Sequence, residues 1–371
     1  MDAVDVVVIG AGVIGLAIAE RLARPGLDLL VLERHDGFGR ETSSRNSEVV
    51  HAGLYYRHDA LKTTLCVRGN PLLYDLCARA GIPFRKTGKI VIATDGHEAE
   101  QLSAIRDQAA RNGVPGIELI DRRRVRELEP RIDGVLGLWS PSSGIVDSHA
   151  LMAWLERSAT GRGATVAYRC EVTGLRKAGE GYQVEVREAD GTRSVIGSSR
   201  VINSAGLQAD RVAAMAGIDA DRAGYRIHPC KGEYFRISAR HRGILSHLVY
   251  PTPSPIHLGA HAVLGLDGSL RLGPNSFYVD ALDYDVDPGH RDGFFEKARR
   301  FLPFLELDDL SPDQSGIRPK LYREDEPFRD FIIHEESDRG LPGLVDLVGM
   351  ESPGLTACLA IAEHVERLLP G

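Results

Sequence analysis

Residues 4–15 read VDVVVIGAGVIG and residues 29–33 read LLVLE. Val6 to Ile9 is an apolar, β-rich run, and Ile14 to Arg24 repeats its apolar residues with helical periodicity. Gly10, Gly12 and Gly15 fall where the strand gives way to the helix. Each answers a steric demand. Gly10 permits a tight turn, Gly12 lets a pyrophosphate reach the backbone, and Gly15 lets helix and strand pack closely. The N–H groups and positive end of the helix face the phosphates, and Glu33 accepts hydrogen bonds from ribose hydroxyls. Val13, Ile14 and Arg34 flank these positions and complete the set of expected cofactor contacts. The glycine spacing alone is a weak signal; strand, helix, second strand and terminal acid in that order specify a dinucleotide site.

At 371 residues the chain is long enough for two lobes, because single cores rarely grow much past ~250–300 residues. The net charge is −7 and the arginines are dispersed without a basic stripe, so no nucleic-acid partner is expected. Cys66, Cys77, Cys170, Cys230 and Cys358 form no CxxC pair and no cluster with histidine. That scatter points to reduced thiols, a cytoplasmic setting and no metal site. Val6 to Ala19 is apolar, but acidic residues precede it and it falls short of the ~18–20 residues of a membrane span. No transmembrane or export segment is therefore expected, although peripheral attachment to the inner membrane through a surface helix is compatible with the sequence.

Further along, Leu61 to Gly81 and His97 to Asn112 read as helices and Lys89 to Thr94 as a strand. GIVDSHALMAW, residues 144–154, reads as a turn into a helix with Asp147 or Ser148 as its cap. Strand-like runs follow at 164–168, 172–176, 182–187 and 200–203, the last ending in the small-residue turn NSAG. From Tyr225 to Tyr278 the pattern is mainly strands broken by Pro251, Pro253, Pro255 and glycines, which suits a mostly antiparallel sheet.

Six stretches resemble one family: TSSRNSEVVHAGLYY (42–56), GIVDSH (144–149), INSAG (202–206), KGEY (231–234), SGIRPK (315–320) and GMESPGLT (349–356). Together they are similar to the L-2-hydroxyglutarate dehydrogenase/oxidase family, FAD-dependent enzymes of the D-amino-acid-oxidase-like fold. The resemblance implies an α/β protein. A Rossmann-like FAD-binding domain is assembled from residues 1–85, 145–215 and 315–371. A second, mostly antiparallel β-sheet domain with helices, residues 86–144 and 216–314, roofs the substrate. It also implies that Thr42, Ser43, Ser44, Arg45 and Asn46 wrap the pyrophosphate and ribityl chain, that Val172 lies by the adenine, and that Ala205 and Gly206 line the cofactor crossing. Gly349, Ser352, Pro353, Gly354, Leu355 and Thr356 are expected to close over the flavin. Pro353 and Gly354 also precede an amphipathic run to about Leu369, whose positive end suits negative charge on the reduced ring.

Oxidising a 2-hydroxy acid requires removal of the hydroxyl proton while hydride leaves C2, and a cation to orient the carboxylate. His51 and His261 are the candidate bases, each with an expected near-neutral pKa and His261 read as lying on a strand. Arg318 stands where the resemblance implies a carboxylate-binding arginine. If SGIRPK is extended, Arg318, Lys320 and Tyr322 share one face, and two cations on one face suit a dicarboxylate. Lys231 and His261 are the next candidates for the distal carboxylate. Tyr56 and Tyr234 are candidate hydroxyl donors, although buried tyrosines more often serve packing. The implied reaction is oxidation of L-2-hydroxyglutarate to 2-oxoglutarate, with a quinone, an electron-transfer protein or oxygen as acceptor. The alternatives are an oxidase of another 2-hydroxy acid or an amino acid, a flavoprotein using FAD structurally, and an NAD-dependent dehydrogenase.

Overall fold

The computed structural model describes residues 3–253 and 260–369. The chain forms two compact units, residues 1–44, 148–229 and 318–371 in one and 45–147 and 230–317 in the other. The expected division placed 45–85 with the dinucleotide-binding segments; by its contacts that stretch belongs to the second unit.

In the first unit the strand Ala3–Ile9 lies between two parallel neighbours, Leu29–Leu32 and Arg193–Asn203. Val6, Val7, Val8 and Ile9 are all buried, as a parallel strand covered on both faces requires, which is why the run shows no alternation. Thr165–Ala167 extends the parallel set beyond Leu29–Leu32. The strand Arg193–Asn203 changes partners along its length. Its first half pairs antiparallel with Gly181–Glu188, and its last residues pair parallel with Leu344–Val348. Only that last, buried part carries the apolar pattern that marked 200–203 in the sequence. The helices Val13–Leu22, Ser148–Thr160 and Gly354–Leu368 belong to the same unit, the first packing on the other two.

The second unit is built on a nine-stranded sheet. Lys89–Ala93 and Leu248–Pro251 pair in parallel. Lys89–Ala93 with Leu136–Ser140, Glu118–Asp121 with the latter, and Ala262–Leu264 with Leu270–Leu272 pair antiparallel, in line with the mostly antiparallel expectation. A smaller sheet joins Val49–Val50, Gly144–Val146 and Phe84–Arg85. The helix Leu61–Ala80 stops at Gly81, in the left-handed conformation at φ +69°, and Gly96–Arg111 starts where the Asp95 carboxylate accepts the Glu98 N–H. In this unit two helices escaped the sequence reading, Arg122–Leu128 and Arg291–Ala298, as the short helices Ala209–Met215 and Ala220–Ala223 did in the first unit. All four are short, so they lack a long apolar stripe. Pro255 lies outside the described residues. Among the described residues no helix is long and apolar enough to cross a membrane.

Gly15 sets a close approach. A Cβ there would stand 2.0 Å from the Gly10 carbonyl oxygen and 2.7 Å from Ser204 Oγ. Gly15→Ala is expected to destabilise the fold by about 1–3 kcal/mol or more, because backbone must move. Gly293, exposed in the helix Arg291–Ala298 with nothing within 4 Å of a Cβ, is expected to respond oppositely, Gly293→Ala stabilising by about 0.5–1 kcal/mol. Denaturant midpoints of the two variants check the pair of signs.

Candidate active site

In the first unit, Gly10 turns the chain at φ +100° with its Cα against the Ser204 carbonyl, which a Cβ would meet at 2.8 Å. Gly12 is the N-cap of the helix Val13–Leu22 and supplies no side-chain cap, so the helix start is left to other acceptors. Ser43 Oγ accepts the Val13 N–H at 2.9 Å, and Ala11 O accepts the Gly39 N–H at 3.0 Å. Glu33 is buried, its two oxygens accepting from the Ala11 N–H at 2.9 Å and the His35 N–H at 2.8 Å. The carboxylate is thereby fixed against the glycine turn with lone pairs to spare. Arg34 points outward and pairs with Glu41.

Other expected cofactor contacts belong to the same unit. Ala205 and Gly206 follow the strand that ends at Asn203, Ala205 N–H donating to Asn203 Oδ1 and Gly206 adopting φ +55° with open space beside it. Val172 is buried opposite Val186. In GMESPGLT, Gly349 takes φ +75° with Leu321 packed where its Cβ would stand, Glu351 O accepts the Gly354 N–H at 2.7 Å, and the helix begins at Gly354. Ser352 and Pro353 lead into that start, with Leu355 and Thr356 in its first turn. A Cβ on Gly354 would sit 3.5 Å from Ile14 Cδ1, so two helix N-termini start side by side. A glycine-lined turn, a helix start whose N-cap glycine brings no side chain and an anchored terminal acid fit the adenine dinucleotide half of FAD. Of the stretch expected to wrap the pyrophosphate, Thr42, Ser43 and Ser44 end the first segment of this unit, whereas Arg45 and Asn46 belong to the second. There the Arg45 guanidinium lies 4.2 Å over the Tyr284 ring, its buried Nε without a partner among the described residues, and Asn46 O accepts from Gln314 at 3.0 Å.

Arg318 and Lys320 lie on the strand Leu310–Lys320, but Tyr322 falls beyond its end. The expected free second cation is not there. Lys320 Nζ is 3.3 Å from Glu351 and donates to Tyr322 Oη at 2.9 Å. Burial works against its charge, yet Glu351 and Tyr322 more than offset it and hold its pKa above the ordinary lysine value. Lys231 is likewise taken, donating to Asp283 at 3.0 Å with Glu233 at 3.8 Å.

The second unit gathers a different cluster. His51 follows the short strand Val49–Val50, and its backbone carbonyl is held by Asn70 Nδ2 at 2.9 Å. His261 does not lie on a strand; it precedes Ala262–Leu264 by one residue and stacks flat on Tyr250, ring centroids 3.7 Å apart. Beside them is Lys89, a residue the sequence reading missed as functional, only 1 % exposed. Its ammonium lies 4.2 Å over the Tyr250 ring and 5.8 Å from the Tyr55 ring. Burial pulls the Lys89 pKa down to about 7. His51 keeps part of its surface accessible, but burial first, then the charge of Lys89 and then His261, hold its pKa well below the ordinary imidazole value. The near-neutral pKa expected for His51 is thus shifted downward, which favours the neutral ring before a substrate arrives. Cys66, pushed up to about 12 by burial, stays a thiol. Tyr234 is buried close enough to Tyr250 to act on its ionisation, whereas Tyr56 is half-buried, its carbonyl accepting from Asn112 and Gln108 and its ring 6.0 Å from the Lys62 ammonium. One signal for Lys89 existed: a lysine heading KIVIA, a strand otherwise apolar throughout.

Residues 5–368 match the family described as FAD dependent oxidoreductase. The chain is 38 % identical to the mitochondrial L-2-hydroxyglutarate dehydrogenase of Arabidopsis thaliana, over 98 % of this chain and 83 % of that protein. To the L-2-hydroxyglutarate dehydrogenase of Escherichia coli O17:K52:H18 it is 30 % identical, over 97 % and 92 %. The fold matches that of dithionite-reduced L-alpha-glycerophosphate oxidase from Mycoplasma pneumoniae with FAD bound, TM-score 0.89 at 25 % identity, over 100 % of this chain and 95 % of that one. Full-length similarity of this kind, on a chain whose glycine turn and anchored acid fit the cofactor, places the protein in the L-2-hydroxyglutarate dehydrogenase family of FAD-dependent oxidoreductases.

Proposed function

We propose that the protein oxidises L-2-hydroxyglutarate to 2-oxoglutarate, and that its histidines and Arg318 divide the work as follows. FAD supplies the two-electron acceptor. The substrate hydroxyl proton passes to the imidazole of His51, with His261 as the alternative base, while the hydride leaves C2. What supports this reading is the place of His51 beside Lys89 and His261, with no carboxylate among the described groups that act on it: a base must be unprotonated before the substrate arrives, and burial next to Lys89 lowers its pKa in that direction. Arg318 clamps a carboxylate through two parallel hydrogen bonds. Lys320, neutralised by Glu351, is better suited to bracing the turn before Gly354 than to holding a second carboxylate. Tyr234 and Tyr56 remain candidate hydroxyl donors. Thr42 to Asn46, Val172, Ala205 and Gly206 are assigned to the cofactor, and the positive end of the helix Gly354–Leu368 favours negative charge there. The electrons leave to a quinone, an electron-transfer protein or oxygen, and loose attachment to the inner membrane surface of a cytoplasmic protein would suit the first.

Anaerobic bleaching of the flavin against L- and D-2-hydroxyglutarate, L-lactate, amino acids and glycerol 3-phosphate tests the assignment. Rapid bleaching by L-2-hydroxyglutarate alone is expected; faster bleaching by an amino acid or by glycerol 3-phosphate would replace it. The purified protein should be yellow and release FAD. Glu33→Ala should weaken FAD retention by about 1–3 kcal/mol, since Glu33 both anchors the Ala11 turn and offers the ribose acceptor. Equilibrium release of FAD in each protein measures it.

His51→Asn is expected to slow flavin reduction by roughly 10²–10⁴ with FAD retained. Because the His51 pKa is held below the ordinary value, its neutral form persists as pH falls through about 6.5, and loss of activity from its protonation should begin only below that. Stopped-flow reduction rates against pH check this; a limb centred near 6.5 that vanishes in His261→Asn would make His261 the base. Arg318→Met should cost ~2–5 kcal/mol in kcat/KM for every 2-hydroxy acid tested, much of it from the carboxylate left unpaired.

A further inference from the structure

We propose that Lys89, with the hydroxyl of Tyr55, is an anion-binding pair of the second unit that holds a carboxylate of the substrate. The ammonium of Lys89 is enclosed, and the groups that face it are the rings of Tyr250 and Tyr55, the imidazole of His51 and the thiol of Cys66. Beyond them lies His261, stacked on Tyr250. None of these is a carboxylate, and Lys89 makes no side-chain hydrogen bond among the described residues. Tyr55 buries its hydroxyl, also without a hydrogen-bond partner. Two adjacent unsatisfied groups, one of them positive, are costly to bury unless something completes them. Two other lysines with little exposure are completed by the chain itself: Lys231 faces Asp283 and Glu233, and Lys320 faces Glu351. At Lys89 the missing component is an anion from outside, and it must be small enough to reach a site lined by rings. A carboxylate satisfies both groups at once, taking the charge of the lysine and a hydrogen bond from the phenol.

That the anion is a carboxylate of the substrate rests on the reaction proposed above, so the test separates the two. Glutarate, which has both carboxylates and no hydroxyl to oxidise, is titrated into the FAD-loaded protein and followed by the shift it causes in the flavin spectrum. The Lys89 pKa near 7 means that the wild-type protein should bind glutarate most tightly at about pH 6 and lose about tenfold in affinity per pH unit above about 7. Lys89→Met should weaken binding at about pH 6 by about 100-fold and remove the pH dependence. It should also keep or raise the melting temperature, because an enclosed charge has been replaced by an apolar chain of similar length. Tyr55→Phe should weaken glutarate about tenfold and leave the pH dependence in place.

A glutarate affinity that is flat from about pH 6 to about pH 9 in the wild type overturns the proposal even if Lys89→Met does not fold. So does a folded Lys89→Met protein that binds glutarate as the wild type does, or one whose melting temperature falls with affinity unchanged, the pattern of a purely structural lysine. If glutarate binding depends on Lys89 but L-2-hydroxyglutarate leaves the wild-type flavin oxidised, the anion site stands and the reaction assignment falls. If L-2-hydroxyglutarate bleaches the flavin and glutarate binding ignores Lys89, the reaction stands and the anion site falls.

Discussion

The carbonyl oxygen of Gly10 fills the space in which a side chain at residue 15 would stand. That approach ties the start of the helix Val13–Leu22 directly to the end of the strand Ala3–Ile9, and much of the first unit follows from it. Parallel pairing carries the same level of the sheet to both neighbours, Gly10 N–H donating to Leu32 O and Ser204 N–H to Ile9 O. Glu33 and Ala205 therefore emerge at the same sheet edge as the glycine turn, although Ala205 is remote in sequence. Crevices at the carboxyl ends of parallel strands are where α/β folds hold their ligands. Here the crevice is a consequence of register and of one missing methyl group.

Buried charge is treated differently in different parts of the chain. In the first unit Asp346 and Glu336 are both enclosed. Asn203 Nδ2 donates to Asp346 at 2.6 Å, while Tyr225 and Arg339 donate to Glu336. Burial, with Glu336 nearby, pushes the Asp346 pKa up to about 8, so that carboxyl is largely protonated at neutral pH. Charge there is neutralised by a proton and by local partners, as expected of groups that fasten the strand Leu344–Val348 to its neighbour. The Lys89 cluster is walled by the rings of Tyr250 and Tyr55 and the imidazole of His51, with no counter-charge among the described residues. A charge largely neutralised by its own neighbours adds specificity to a fold; a cluster whose cation meets no counter-charge among the described residues is the more informative about ligands.

How much of this was legible in the sequence depended on distance along the chain. The first 33 residues disclosed their structure because the steric demands at Gly10, Gly12 and Gly15 are local, and the long helices because their apolar stripes repeat within one segment. Arg318 and Lys320 do share one strand, as their spacing implies, but nothing near them in the chain discloses Glu351, which reaches Lys320 from 31 positions on. Lys89 was harder still. It became an interior residue only when Leu248–Pro251 paired alongside it and brought Tyr250 over its ammonium, and no window of sequence contains both. The stretch 45–85, expected with the dinucleotide-binding segments from the resemblance, makes its contacts in the second unit, and those contacts come from residues far along the chain that no local pattern discloses.

The same cluster bears on the strength of the proposed base. His51 is kept neutral partly by the charge of Lys89, which makes it available to receive a proton but also lowers its affinity for one. A carboxylate bound at Lys89 would cancel that field at the moment the substrate hydroxyl arrives, raising the proton affinity of the imidazole when it is needed. Without the anion, burial and the charge of Lys89 both disfavour protonation of His51; with it, the part owed to Lys89 is offset while burial remains. A lysine bearing its own carboxylate, such as Lys320, could not couple binding to basicity in this way, because its field is already cancelled before any substrate enters.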